Sequence, residues 1–179
     1  MNILEMVKFK HCPQCGECRL EIRDPKSVKC ISCGFVYYHN PGAVAIGIVR
    51  HDEKIILTKR ASEPGKGLLA LPGGFVDYEE SLEEALGREL REELNIAVKE
   101  SRYLCSYWEK YTYREIKYYT IVTFFVVEAE NAMEVKINEE LSDYLWIDHR
   151  EIDQSQLAFA SDRVALAMYE QNVETRQEL

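Results

Sequence analysis

The sequence predicts an α+β fold, a mixed β-sheet with helices packed on it, preceded by a small N-terminal module. Three observations carry that expectation. Apolar segments of strand length follow one another through hairpin-like breaks, without the regular strand–helix–strand alternation of a parallel sheet. One acidic segment, 82–94, repeats leucine at every fourth residue, as an amphipathic helix does. Five of the six cysteines are crowded into the first 33 residues, too early and too dense to belong to the same sheet.

With 179 residues the chain can hold one good-sized core and a small satellite. The composition shifts once, near "YYHNPG" at 37–42. We therefore expect two domains, a Cys-rich and turn-rich module over 1–40 and the mixed-sheet domain over 41–179.

The elements of the larger domain read in order. "AVAIGIVR" and "KIILTKR" are strands joined by the hairpin loop "HDE". "KGLLALPGGFV" carries a short apolar run into a Pro-Gly-Gly break. A helix follows over 82–94. Ser81 is its expected N-cap, because Ser81 and Glu84 have the spacing of a capping box. Leu82, Leu86, Leu90 and Leu94, with Ala85 beside them, form the face packed on the sheet. Tyr-rich strands are expected near 101–111 and 117–128, a short strand at "YLWI", and a final helix over 161–171.

No apolar run approaches the ~20 residues of a membrane span, and the N-terminus lacks a secretory layout. The expected setting is the cytoplasm, with no membrane partner. A formal net charge of -9 argues against sequence-blind nucleic-acid binding, which needs a basic surface. An acidic protein can still act on phosphates when metal ions bring the positive charge.

"CPQCG" and "CISCG" are two Cys-x-x-Cys turns, each closed by a glycine that lets the backbone turn beneath the sulfurs. In a reducing compartment such a cluster holds metal more often than disulfides. Cys12, Cys15, Cys30 and Cys33 match the closed tetrahedral site of a structural Zn²⁺, ahead of a redox dithiol pair or an iron–sulfur site. A module this short would owe much of its stability to the ion. Its expected role is structural or dimer-forming. Cys18 reads as a spare thiol and Cys105 as a core residue.

Glu89, Glu92 and Glu93 stand at i, i+3 and i+4, so their carboxylates converge. Such a patch costs a few tenths of a kcal/mol per like-charged pair unless a cation lies in it. Carboxylate oxygens suit Mg²⁺ or Mn²⁺. Arginines at 88 and 91 leave a second reading open, a surface helix laced with Glu–Arg pairs.

The wider spacing favours the first. From Gly74 the chain runs five residues to Glu80, seven more to Arg88-Glu89-Leu90, then Glu92-Glu93 and Asn95-Ile96. This stretch, 74–96, resembles the Nudix box, G-x5-E-x7-R-E-U-x-E-E-x-G-U with U aliphatic, at every specified position but one. Asn95 stands in place of the family's glycine, at a helix end where a left-handed residue is required and Asn is the next best. The likeness extends over residues 43–149. It implies an α/β/α sandwich of Nudix type, and Mg²⁺- or Mn²⁺-dependent hydrolysis of a nucleoside diphosphate linked to another moiety. The same resemblance implies Glu89, Glu92 and Glu93 as metal ligands, with the carbonyl of Gly73, and Arg88 as the residue that holds a glutamate in place. Glu80 is similar to the family's auxiliary acid. The general base is a box glutamate such as Glu93 or a later acid, for which Glu140 is the candidate and Glu139 its competitor.

A zinc ribbon before a Nudix domain resembles the pyrophosphatases of NADH, ADP-ribose and FAD. The chain lacks the SQPWPFPxS motif typical of the NADH enzymes, whereas "KGLLALPGGFVDYEES" resembles the ADP-ribose group. ADP-ribose, cleaved to AMP and ribose 5-phosphate, is therefore the first expectation, with FAD or NADH second. A regulator that binds nucleotide without cleaving it comes last, since the box glutamates are intact. Arg60 and Glu80 are candidate substrate contacts, and Trp108 and Tyr111 are candidates for stacking a base. By analogy with relatives, a homodimer is expected.

Overall fold

The computed structural model describes the backbone of residues 10–113 and 116–177, and side chains over 10–110 and 116–173. The chain divides into two compact units. One contains the segment ending at Gly42 together with Lys110–Tyr119; the other runs Ala43–Glu109 and Thr120–Leu179.

In the first unit β1 (Leu20–Asp24), β2 (Ser27–Cys30) and β3 (Val36–Tyr38) form an antiparallel meander. Asp24 makes the first turn by accepting from the Lys26 amide at 2.9 Å and from the Ser27 hydroxyl. Its carboxyl is held below the usual range, chiefly by the Ser27 hydroxyl.

The second unit is built on a seven-stranded sheet. Its strands are β4 (Gly42–His51), β5 (Lys54–Arg60), β6 (Leu69–Ala70), β7 (Gly73–Phe75), β8 (Val98–Tyr113), β9 (Ile116–Ala129) and β10 (Leu141–Asp148). The main order is β10-β5-β4-β9-β8, with β6 on β5 and β7 on β4. β4 pairs with β5 only at the hairpin, through Arg50–Ile55 and His51–Lys54; further back β4 pairs with β7 instead. That exchange of partners lays the glycine segment directly along β4.

Alternation along the strands sorts the core into two faces. Val44, Ile46 and Ile48 join Ile55, Leu57, Val122, Phe124 and Val126 on one face, with Ala165, Leu166 and Tyr169 of α2 (Ala160–Gln177) packed over them. Ala45, Val49, Ile56, Phe125 and Val127 point the other way, against Ala85, Leu86, Leu90 and Leu94 of α1 (Leu82–Leu94). The expected sandwich, a helix on each side of a mixed sheet, is the observed one. Gly47 faces α1, where a Cβ would meet Leu86 and Val127 at 3.3 Å, so its missing side chain brings helix and sheet close.

α1 begins and ends as predicted. Ser81 accepts from the Glu84 amide while the Glu84 side chain accepts from the Ser81 amide, completing the capping box. At the far end Asn95 adopts φ 58° and ψ 26°. The Asn95 amide returns to the Arg91 carbonyl, the bond of a left-handed αL cap, and the Ile96 amide to the Leu90 carbonyl, each at 3.0 Å. α2 runs Ala160–Gln177, longer than the 161–171 expected. Cys105 is buried in the core, as expected.

Leu90 is fully buried between α1 and the sheet. Leu90→Ala is expected to cost about 2–5 kcal/mol in a denaturant titration, and more than Leu82→Ala at the half-buried start of the stripe.

Candidate functional site

The turn at Gly73 and Gly74 is shaped by what surrounds it. Gly73 has φ 131°, and a Cβ there would be driven into the backbone of Ala45 and Ile46 on the neighbouring strand. Gly74 faces a carboxylate instead, with a Cβ falling 2.5 Å from Glu89 Oε1. Gly73 requires glycine for backbone clearance, and at Gly74 a side chain would have to displace the Glu89 carboxylate. The Gly73 N–H then donates to Glu93 Oε2 at 2.9 Å, tying the turn to α1.

Arg88 fastens the rest. Its Nε and Nη2 donate to the two oxygens of Glu80 at 2.7 and 3.0 Å, a bidentate pair. The same guanidinium donates to the Phe75 carbonyl at 2.9 Å, to Glu89 Oε1 at 2.9 Å and to Glu92 Oε2 at 3.2 Å. Glu80 also accepts from the Asp77 amide at 3.1 Å. Hydrogen bonding by Arg88, and then by Asp77, lowers the Glu80 pKa, and Glu80 in turn raises that of Arg88. Both Glu80 oxygens are thus engaged in holding Arg88 and the loop.

Glu89 and Glu93 are in a different state. Burial raises the Glu89 carboxyl; the Arg88 charge pulls the other way without prevailing, while Glu92 and Glu140 add to the rise. Burial pushes Glu93 up to about 8, against the Gly73 N–H and Arg60 and with Glu89 and Glu140 adding to the rise. Of the two late acids it is Glu140 whose charge bears on both box glutamates. Glu92 is exposed. The three acids occupy the last two turns of α1.

Arg60 lies within electrostatic reach of Glu93 and also of Asp162, and its guanidinium sits 5.1 Å from the centre of the Phe159 ring. Sequence reading missed three neighbours here. Asp162 is buried in the first turn of α2 and accepts from the Leu71 amide at 3.2 Å; Glu109 accepts from the Ser161 amide at 2.9 Å; and Phe159 underlies Arg60. Their positions follow from contacts 52 and 91 residues apart, for which no local motif exists. Trp108 is more than half exposed and stacks on Tyr107. The side chain of Tyr111 lies outside the described residues.

In the first unit the four expected sulfurs all lie within 4.8 Å of one another. Cys12–Cys33 and Cys15–Cys30 are separated by 3.8 and 3.7 Å, far beyond a disulfide bond. Four sulfurs on a tetrahedral ion at about 2.3 Å would be about 3.8 Å apart. Gly16 and Gly34, at φ 78° and 80°, donate to the Cys12 and Cys30 carbonyls at 2.9 Å and close the two knuckles. The Cys33 amide, then that of Ser32, helps to draw the Cys30 thiol down to about 7. This cluster could hold a metal ion. Cys18 is exposed.

Comparison with known proteins places this arrangement. The NUDIX domain model matches residues 39–168, and the chain belongs to the Nudix family. An ADP-ribose pyrophosphatase of Methanocaldococcus jannaschii is 47% identical over 62 residues, 35% of this chain and 37% of that protein. An NAD-capped RNA hydrolase NudC of Haemophilus influenzae is 35% identical over 99 residues, 54% of this chain and 38% of the other. A NudC of Photobacterium profundum is 28% identical over 141 residues, 79% of this chain and 50% of its own length. The chain thus spans half or less of the length of these relatives. Among solved structures, a NUDIX hydrolase from Nitrosomonas europaea superposes with a TM-score of 0.72 at 25% identity, covering 92% of this chain and 93% of that one. The NUDIX domain of Shewanella oneidensis NrtR, complexed with ADP ribose, shares the fold with a TM-score of 0.63 at 22% identity, covering 76% and 90% of the two chains.

Burial, with Glu109 adding to it, raises the Asp162 carboxyl to about 7 in the folded chain, against the Leu71 N–H, Arg163 and Arg60. The unfolded carboxyl titrates near ~3.9. Between those values the unfolded chain binds fewer protons, so this group's contribution to stability should fall as pH rises and level off above about 7. Thermal melts across that window should show a shallower decline in Asp162→Asn than in the parent protein.

Proposed function

We propose that the chain is a divalent-cation-dependent pyrophosphohydrolase of nucleoside diphosphate derivatives, with ADP-ribose, cleaved to AMP and ribose 5-phosphate, as its first substrate. The observation that carries this reading is Glu93, a carboxyl nine-tenths buried against the Gly73 N–H with Glu89 and Glu140 adding negative field. Acids raised together in this way are short of positive charge, and an all-carboxylate donor set fits Mg²⁺ or Mn²⁺. Glu89, Glu92 and Glu93, with the Gly73 carbonyl, would hold the ion. When bound, it neutralises pyrophosphate oxygens, polarises phosphorus and makes water more acidic.

The remaining work falls to the protein. Arg88 fixes Glu89 and the Phe75 carbonyl at the end of β7, so the acids meet the diphosphate in one arrangement. Glu140, or a box glutamate, takes the proton of the attacking water. Arg60, whose field acts on Glu93, would meet a phosphate. The cysteine module is proposed as a zinc site of structural role. A second reading, cleavage of NADH or a related dinucleotide, is supported by the NudC relatives, which align over more of the chain than the ADP-ribose pyrophosphatase does.

Incubation with ADP-ribose, NADH, FAD and nucleoside triphosphates, each with Mg²⁺, should release monophosphates fastest from ADP-ribose; no product from any of them would end the enzyme reading. Glu93→Gln should lower turnover by roughly a hundredfold or more with the fold intact. Metal analysis should find about one zinc per chain, lost in Cys30→Ser.

A further inference from the structure

The loop between β9 and β10 makes a continuous series of bonds to the C-terminal end of α1. The Asn131 amide group donates to the Asn95 carbonyl at 2.8 Å, and its Oδ1 accepts from the Ala97 amide at 2.8 Å. Asn95 Nδ2 donates to the Glu134 carbonyl at 3.3 Å. The Lys136 amide then donates to the Leu94 carbonyl at 3.0 Å, and the Asn138 amide to the Glu93 carbonyl at 3.3 Å. Three successive carbonyls at the end of α1, from residues 93, 94 and 95, are thus capped by one loop.

The series ends at Glu140. Asn138 Oδ1 accepts from the Glu140 amide at 3.0 Å, while the Glu140 carbonyl accepts from the Ala61 amide, next to Arg60, at 3.0 Å. Asn138 therefore touches Glu93 through its own amide and Glu140 through its side chain. A glycine at 95 would supply the same left-handed turn but not the bond to Glu134.

We infer that Asn138 is a positioning residue, which with Asn95 and Asn131 locks the 131–140 loop onto the end of α1 and so sets Glu140 beside Glu93. This inference rests on the proposed hydrolysis, and gives Glu140 rather than Glu139 the part of the later acid. The two are distinguished by backbone. Glu140 is held on both sides, by Asn138 and Ala61, in the position whose charge acts on Glu89 and Glu93.

The test compares Asn138→Ala, Asn138→Ser and Glu140→Gln, singly and as Asn138→Ala/Glu140→Gln, in steady-state hydrolysis of the best substrate. Asn138→Ala should lower kcat roughly tenfold or more while KM changes less than about threefold, the result of misplacing a reacting group. Asn138→Ser, which restores an uncharged acceptor, should recover most of the loss. The double variant should be no slower than Glu140→Gln alone. Wild-type kcat in Asn138→Ala, or losses that multiply in the double variant, would overturn the inference. Absence of turnover in the parent protein would instead be a failure of the hydrolase reading. Hydrogen exchange then decides the loop by itself: the amides of Lys136, Asn138 and Glu140 should be protected in the parent and Glu140 exposed in Asn138→Ala, and rapid exchange of all three in the parent would overturn the inference.

Discussion

Everything at the candidate site depends on one buried contact, the carboxyl of Glu93 against the N–H of Gly73. It joins the glycine turn to the helix and fixes the depth at which the acidic side chains sit. The contact is available because β4 exchanges β5 for β7 as its partner, which holds Gly73 on the sheet. Around it Arg88 balances Glu80, Glu89 and Glu92. A lysine in that place could supply the charge but not the planar fork that reaches the Phe75 carbonyl and three carboxylates at once.

The hydrophobic core makes this arrangement stiff. The leucine stripe of α1 is buried from Leu86 to Leu94, so the helix cannot roll to relieve repulsion among its acids. Gly47 draws the helix close to the sheet, and the capping box and the left-handed cap at Asn95 fix its two ends. The carboxylates are therefore strained by position while the backbone that carries them is not. That division suits a site whose side chains meet charge and whose scaffold stays still.

Much of this was legible in the chain because it is local. A helix of thirteen residues, its cap and its end follow from periodicity and spacing. The cysteine knuckles are equally local, and the sulfurs meet as the spacing requires. The role of Glu80 was less clear, since only the folded loop reveals that Arg88 takes both its oxygens. Asp162, Glu109 and Phe159 went unseen because they reach the site from β8 and from the approach to α2 and its first turn, through pairings that no period encodes. The box spacing identifies Asn95 as a substitute for glycine in backbone terms; its side-chain bond to the Glu134 carbonyl depends on a loop 39 residues away.

The direction of α1 adds a consequence of its own. Its first turn carries Glu83 and Glu84, which favour the positive end of the peptide dipoles. Glu89, Glu92 and Glu93 gather toward the negative end, where the helix itself opposes their ionisation. A divalent ion seated there would relieve both sets of charges together, and only in the folded chain, so the native state would gain RT ln(1 + [L]/Kd) from it. The metal supply of the surroundings would then govern how long the protein persists as well as how fast it works.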